Sequence, residues 1–93
     1  MVSRCCKQYY SKPVFEKLTP NITDIRIPAA AARAGGADAV SLINTINSIT
    51  SVNLDTLSPE PSIDGKGSHG GYCGPAVKPI ALSMVSEIAR GAD

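Results

Sequence analysis

The chain has 93 residues, of which 43% are hydrophobic and 18% charged, and its formal net charge is +1 at pH 7. This composition is typical of one small globular domain and argues against global disorder. The charge gives no basis for binding nucleic acid or an acidic membrane surface, and no apolar run approaches the roughly 18 residues that span a bilayer.

The apolar inventory is thin for this length. The sequence has no Trp and one Phe, Phe15, and many of its apolar residues are alanines. Because burial contributes roughly 25 cal/mol per Å² of apolar surface, such a chain has little margin over its ordering entropy. We therefore expect support from self-association or from a larger fold that includes this segment.

The three cysteines form no metal or disulfide motif. Cys5 and Cys6 are adjacent, Cys73 lies far away, and His69 is the only histidine. This set lacks the four spaced ligands of a zinc site and the spacing of a disulfide framework, so neither is predicted. Free thiols, and no apolar stretch after Met1, favour a cytoplasmic protein in which Cys5 and Cys6 are partly buried by helix packing.

The first half of the chain predicts a helix followed by a strand–helix–strand unit. Apolar or part-apolar residues at positions 2, 5, 6 and 9 give residues 1–12 a helical spacing, and we interpret this segment as the end of a preceding helix. Thr23–Asp24 is a plausible cap for the second helix, and Gly35–Gly36 would end it. The unit spans residues 13–44 and comprises a strand at Val14–Thr19, a helix at Ile25–Arg33 and a strand at Ala39–Asn44.

The second half predicts a long loop and a last helix. Residues 45–74 have no clear period and are rich in Pro and Gly, so we expect an active-site loop without regular elements beyond short β pieces near Val52–Leu54 and Ser62–Ile63. Residues 75–90 carry apolar side chains at i, i+3, i+4 and i+7, which predicts a helix packed against a core. Strands alternating with helices indicate an α/β fold with a parallel sheet, and two strands are too few to complete it.

Polar candidates follow the carboxyl ends of both strands, where parallel α/β folds bind ligands. Lys17 either meets an anion or carbonyl group or reaches solvent from a sheet edge. Asn44 and Thr45 either match the amide edge of a nucleobase or form a turn.

A glycine-rich stretch precedes the last helix. Gly70–Gly74 is either an anion-binding turn or a flexible loop, and it matches no Walker or G-x-G-x-x-G pattern. Cys73 would need a base to act as a nucleophile, and His69, in the same loop, is not favoured for that role.

Four runs together carry a family resemblance. They resemble dihydropyrimidine dehydrogenase, and especially the FMN- and pyrimidine-binding subunit of the bacterial NAD-dependent enzyme, which is related to class 1 dihydroorotate dehydrogenases. The runs are residues 17–24, 35–40, 44–45 and 70–82, and the resemblance extends over about residues 12–90.

The resemblance implies an oxidoreductase that reduces uracil or thymine to the 5,6-dihydro compound on an FMN-binding (β/α)8 barrel. It matches Lys17 with a lysine that contacts the flavin ring and Gly74 with a glycine whose backbone approaches FMN. It matches Asn44 and Thr45 with the pair that binds the pyrimidine. Glu16, beside the flavin lysine, departs from the small or apolar residue that is usual there, but neighbouring strand residues normally face opposite sides.

The resemblance further implies that residues 1–93 are an internal fragment covering about three of the eight barrel units. The catalytic acid loop would precede the segment, so no catalytic residue is assigned within it, and the FMN phosphate strands would follow. Iron–sulfur clusters and an FAD subunit that oxidises NADH would lie elsewhere in the full enzyme. We expect the fragment alone to be inactive and to self-associate or rearrange, with a non-enzymatic half-barrel module or a dihydroorotate specificity as alternatives.

Overall fold

The computed structural model describes residues 2–91, so Met1 of the predicted 1–12 segment lies outside the described residues. Its first half is α/β, as predicted, and contains two parallel strands. The elements are α1 (Val2–Tyr9), β1 (Phe15–Lys17), α2 (Arg26–Ala34) and β2 (Ala39–Ser41).

The parallel pair β1–β2 aligns Phe15 with Ala39 and Lys17 with Ser41. Backbone hydrogen bonds extend the pairing past both ends, from Asp38 N–H to Val14 O at 2.9 Å and from Leu18 N–H to Ser41 O at 2.9 Å. Both strands are shorter than predicted, but these bonds continue their alignment into the flanking residues.

Helix α2 begins and ends close to the predicted bounds. The Asp24 carboxylate accepts the backbone N–H of Arg26 at 3.0 Å, so Asp24 satisfies one of the free amides of the first turn. At the other end Gly36 has φ of 88°, and the N–H groups of Gly36 and Ala37 donate to Arg33 O and Ala32 O. These two bonds form a Schellman ending, which requires the left-handed conformation that glycine adopts readily.

Residues 45–74 contradict the prediction of a loop without regular elements, because they form three antiparallel ladders. We call residues 46–72, which contain these ladders, the ribbon. Strands β3 and β8 pair at its base, and two hairpins, β4–β5 and β6–β7, extend from there. The short β pieces predicted near Val52–Leu54 and Ser62–Ile63 are confirmed as β4 and β6. The strands are β3 (Ile46–Ser48), β4 (Ser51–Asn53), β5 (Ser58–Glu60), β6 (Ser62–Ile63), β7 (Lys66–Gly67) and β8 (Gly70–Tyr72).

Local turn chemistry explains both hairpins. Asp64 and Gly65 both have positive φ, at 51° and 75°, and join Ile63 to Lys66 in a two-residue turn of the kind that favours an Asp-Gly pair. In the β4–β5 hairpin the Asn53 side-chain oxygen accepts the N–H groups of Asp55 and Thr56. The sequence signal for the β6–β7 turn was therefore present in Asp64-Gly65.

The last helix forms as predicted but packs differently. A 3₁₀ turn over Pro75–Val77 leads into α3 (Lys78–Arg90), and Val77 is buried at this junction. No residue within α3 is fully buried: Ala81, Met84 and Ile88 of the predicted apolar stripe are half-buried, whereas Ile80 and Val85 are exposed, so the expected core packing is only partial.

The prediction that the apolar residues of α1 are packed against the rest of the chain is also wrong. Val2 and Tyr9 are 75% and 79% exposed, Cys5 is exposed, and Cys6 is half-buried. The buried residue is Ser3, whose hydroxyl donates to the Glu16 carboxylate of β1. A polar contact therefore determines how α1 faces the sheet.

The described part of the chain has a small core and an extended shape. Its Cα radius of gyration is 16.9 Å, whereas a compact chain of this length has about 12 Å. Large exposed apolar side chains such as Phe15 are therefore common, as the thin apolar inventory suggested. The buried apolar residues are Leu18, Ile25, Ala32 and Val77.

Asp38 joins α1 to the sheet. Its carboxylate accepts both the Lys7 ammonium, at 2.8 Å, and the Val14 backbone N–H, at 2.7 Å. These two bonds hold the pKa of Asp38 below its ordinary value, and the bond from Lys7 has the larger effect. A lowered folded-state pKa means that the stabilisation is present above the unfolded-state pKa and is lost as the pH falls through the folded-state value.

We expect Asp38→Asn to lower the melting temperature at pH 7, because it removes the charge that Lys7 meets. The difference from the parent should shrink as the pH falls below the unfolded-state value of about 3.9. Thermal unfolding followed by circular dichroism at several pH values measures this. Asp55→Asn, in an exposed turn, is the control, and a pH-independent difference for Asp38→Asn would contradict the assignment.

Ile25 and Ile27 provide a matched test of the small core. Ile25 is 2% exposed and Ile27 is 66% exposed. Ile25→Ala should lower the free energy of unfolding by about 2–5 kcal/mol, the range for deleting a buried aliphatic side chain. Ile27→Ala should leave it nearly unchanged in urea denaturation, and equal losses would show that the core lies elsewhere.

Candidate functional site

The carboxyl ends of β1 and β2 lie side by side. After Leu18 N–H bonds to Ser41 O, the chain continues so that Asn44 N–H donates to Leu18 O at 2.9 Å. This second bond brings the residues that follow β2 back against the end of β1. The predicted juxtaposition of Lys17 and Asn44 at one edge of the sheet therefore has a backbone basis.

Lys17 is the last residue of β1 and its side chain is exposed. Within residues 2–91 the Lys17 side chain makes no hydrogen bond or salt bridge. Glu16, by contrast, is half-buried and accepts the hydroxyl of Ser3 in α1. The two side chains therefore occupy opposite faces of the strand, so Glu16 does not share the face of Lys17.

Asn44 folds back on its own neighbour. Its side-chain oxygen accepts the backbone N–H of Thr45 at 2.8 Å, so one of its two acceptor positions is occupied. The Asn44 side-chain NH₂ donates no hydrogen bond to the described residues, and Asn44 is exposed. The turn and the ligand-binding interpretations are thus compatible, because the turn leaves two N–H donors available for a carbonyl group.

Thr45 packs against the ribbon. A Cβ built on Gly71 would lie 2.7 Å from Thr45 Cβ and 3.1 Å from Thr45 Cγ2, so a side chain larger than hydrogen at position 71 would collide with Thr45. Strand β8 approaches Thr45, the residue before β3, this closely because Asn47 in β3 pairs with Gly71. The glycine-rich stretch therefore contributes space for Thr45.

Asn21 is a residue of this site that the sequence-based assignment missed. Its side-chain NH₂ donates to Thr45 O at 3.1 Å and to Thr19 Oγ1 at 3.1 Å, and its side-chain oxygen accepts Asn47 N–H at 2.9 Å. Position 21 lies within the polar run that closes β1, which was the available signal. What the pattern did not indicate is that this residue contacts the loop after β2.

Gly74 follows the ribbon and has free space beside its Cα. Its φ is 96° and ψ is −167°, and a Cβ built on it would meet no atom within 4 Å. Its carbonyl accepts Val77 N–H at 3.1 Å and so begins the 3₁₀ turn. Because β3 pairs with β8, Gly74 leaves the ribbon at the end where Asn44 and Thr45 enter it.

The other candidate side chains do not form a reactive group. Cys73 and His69 are both exposed, and no hydrogen bond joins their side chains in the described structure. In residues 2–91 no group of three His, Cys, Asp or Glu side chains could hold a metal ion. Each helix of the described segment falls short of the length and hydropathy needed to cross a membrane.

A separate cleft of about 600 Å³ lies between the start of α2 and the end of α3. Its lining includes Asp24 and Arg26, which form a salt bridge at 2.9 Å, and none of Lys17, Asn44, Thr45 or Gly74. The hydrogen bond from the Arg26 side chain lowers the pKa of Asp24. The candidate site is therefore an open edge of the structure and is distinct from this charged cleft.

Comparisons with known proteins identify two kinds of relatives. The chain is 46% identical over 78 residues to the chloroplastic dihydropyrimidine dehydrogenase (NADP(+)) of Arabidopsis thaliana, which covers 84% of this chain and 18% of that protein. It is 44% identical over 85 residues to the NAD-dependent dihydropyrimidine dehydrogenase subunit PreA of Escherichia coli, covering 91% of this chain and 21% of that subunit. It is 49% identical over 89 residues to the catalytic subunit of dihydroorotate dehydrogenase B (NAD(+)) of a Thermoanaerobacter species, covering 96% of this chain and 28% of that subunit.

The chain spans roughly a fifth to three tenths of the length of these relatives. The identities to the two kinds of enzyme are similar, so they do not separate a dihydropyrimidine from a dihydroorotate substrate. A family model described as dihydroorotate dehydrogenase matches residues 1–93. Because this match covers every residue, the chain belongs to the dihydroorotate dehydrogenase family.

Proposed function

We propose that this chain is part of a flavin-dependent oxidoreductase that reduces uracil or thymine to the 5,6-dihydro compound with electrons derived from NAD(P)H. In this proposal β1, α2, β2 and α3 belong to a (β/α)8 barrel, of which the chain supplies about three units. The observation that carries the proposal is the exposed Asn44 side-chain amide, on a residue whose backbone N–H bonds to Leu18 O directly after the strand that ends in Lys17.

Two features of the described residues fit an FMN site. Lys17 is an exposed cation without an ion-pair partner within residues 2–91, so it is available to an electron-rich ring or an anionic group. Gly74 is exposed, and no atom lies within 4 Å of a Cβ built on it, which permits close approach of a planar ligand. We therefore propose Lys17 and Gly74 as cofactor-binding residues.

Each of these groups has a distinct role in the proposed reaction. When bound, FMN supplies hydride transfer to or from a carbon of the pyrimidine ring. Lys17 provides a fixed positive charge that stabilises negative charge developing near it. Asn44 donates to a pyrimidine carbonyl, while Thr45 holds the backbone that carries Asn44 in place. The proton that completes the reduction comes from an acid that we do not assign within residues 1–93.

The names of the relatives support a partner subunit by analogy. Two of the relatives are named as subunits of NAD-dependent enzymes, which supports a partner that oxidises NADH. We propose that this partner carries FAD, that iron–sulfur clusters lie outside this segment and that the enzyme is cytoplasmic. The exposed apolar side chains, Phe15 among them, also support self-association when the chain is isolated.

A dihydroorotate substrate is the second candidate, because the chain is also 49% identical to the catalytic subunit of a dihydroorotate dehydrogenase B. Dihydroorotate carries a carboxylate that uracil lacks. Its binding would therefore call for additional donors or a cation, so the choice of ligand in a binding experiment separates the two candidates.

We expect the 93-residue chain to bind FMN, with quenching of flavin fluorescence as the measurement. Lys17→Met should weaken binding by at least about tenfold, because a hydrogen bond to a charged group contributes about 1.5–3 kcal/mol. Lys12→Met removes another exposed lysine, outside the strand, and is the matched control. Equal affinities for the Lys17 variant and the parent would remove Lys17 from the cofactor site, and no uptake by the parent would contradict the FMN proposal.

We expect uracil and thymine to perturb the absorption spectrum of FMN bound to the chain, and dihydroorotate to do so much less. Asn44→Leu should weaken the uracil response by about tenfold, since it removes the carbonyl-binding donors. Asn47→Leu changes an exposed side chain in the same segment and should leave the response intact. A response to dihydroorotate alone would favour the second candidate.

A further inference from the structure

Asn21 occupies an unusual position between the two strand ends. It follows β1, but its side chain bonds to the backbone on both sides of Ile46, at Thr45 O and Asn47 N–H. In a β-strand, the C=O of one residue and the N–H of the residue two positions later face the same edge. The Asn21 carboxamide therefore pairs with the outer edge of β3 as a neighbouring strand would.

The segment between β2 and β3 depends on few other contacts. Ser41 ends β2 and Ile46 begins β3, so the residues between them belong to no ladder. Asn44 N–H bonds to Leu18 O, and Thr45 N–H bonds to the Asn44 side chain itself. Asn21 thus supplies the side-chain contact that secures the backbone after Asn44 to the loop after β1.

The Asn21 side chain is itself held in orientation. Thr19 Oγ1 accepts from both the Asn21 backbone N–H and the Asn21 side-chain NH₂, each at 3.1 Å. The carboxamide is therefore presented to β3 with its donor toward Thr45 and its acceptor toward Asn47. On the other side of β3, Gly71 leaves room for the Thr45 side chain, so Thr45 is confined between the loop after β1 and the ribbon.

We infer that Asn21 is a positioning residue for pyrimidine binding: its carboxamide fixes the 44–47 backbone and thereby the direction of the Asn44 donors. This inference rests on the proposed pyrimidine site and adds a residue that acts on the ligand through Asn44 and Thr45. Because Asn21 uses its donor on one residue and its acceptor on another, the two halves of its amide can be tested separately.

Two variants separate the halves. Asn21→Asp keeps an oxygen for Asn47 N–H but loses the donor and places a carboxylate against Thr45 O. Asn21→Leu loses both. Amide hydrogen exchange at Asn47, measured by NMR, reports the acceptor half, and the uracil-induced change in the spectrum of bound FMN reports the positioning of Asn44.

With Asn21→Asp we expect Asn47 to stay protected while the uracil response weakens by at least tenfold. With Asn21→Leu we expect the uracil response to weaken and Asn47 to exchange at least tenfold faster. Protection of the α2 amides in the same spectra verifies that each variant is folded. Asn53→Leu removes an asparagine that bonds two backbone amides in a distant turn, and it should alter neither readout.

The outcomes distinguish this inference from the proposed function. A parent chain that binds FMN and responds to uracil, with Asn21→Asp responding equally, would overturn the role of Asn21 alone. Unchanged exchange of Asn47 in Asn21→Leu would overturn it as well. A parent chain without a uracil response would contradict the proposed function and, with it, the pyrimidine-directed role, whatever the exchange rates of the variants.

Discussion

The reciprocal bonding of Val14 and Asp38 is the contact on which the rest of the arrangement depends. Val14 N–H donates to the Asp38 carboxylate, and Asp38 N–H donates to Val14 O. These two bonds determine where β1 starts opposite β2 and so align Lys17 with Ser41. With that register, Leu18 O is available to Asn44 N–H, and the loop after β2 closes over the end of β1. A shift of one residue would reverse the faces of Glu16 and Lys17.

The parts of the fold that the sequence predicts well are those determined by local chemistry. Gly36 ends α2 because its positive φ permits the Schellman bonds, and the opposite facing of Glu16 and Lys17 follows from the two-residue period of a strand. The ribbon was missed because its strands have two or three residues and no alternating pattern. Asp64-Gly65 was its one clear signal, and glycine content was interpreted as irregular structure instead.

Burial was the least predictable property. The apolar spacing of α1 and α3 is real, but a periodic pattern shows which residues share a helix face and not whether a neighbouring element covers that face. In α1 the side chain that is covered is Ser3, and in α3 no side chain is fully buried. At the candidate site, the residue types at Lys17, Asn44 and Thr45 were readable from the sequence. The hydrogen bond from Thr45 N–H to the Asn44 side chain and the bonds from Asn21 to the backbone at Thr45 and Asn47 could not be predicted, because they depend on how the loops are placed.

The hairpin turn after Asn53 has a consequence for how this part of the molecule tolerates change. The four residues between Asn53 and Ser58 lie beyond the last pair of the β4–β5 ladder, whereas Thr45 and Gly71 meet near the opposite end of the ribbon, where β3 pairs with β8. For a flexible loop, each doubling in length adds only about 0.6 kcal/mol of closure entropy. The tip is thus a place where the chain can vary in length, or carry an inserted tag, while the geometry around Thr45 is preserved.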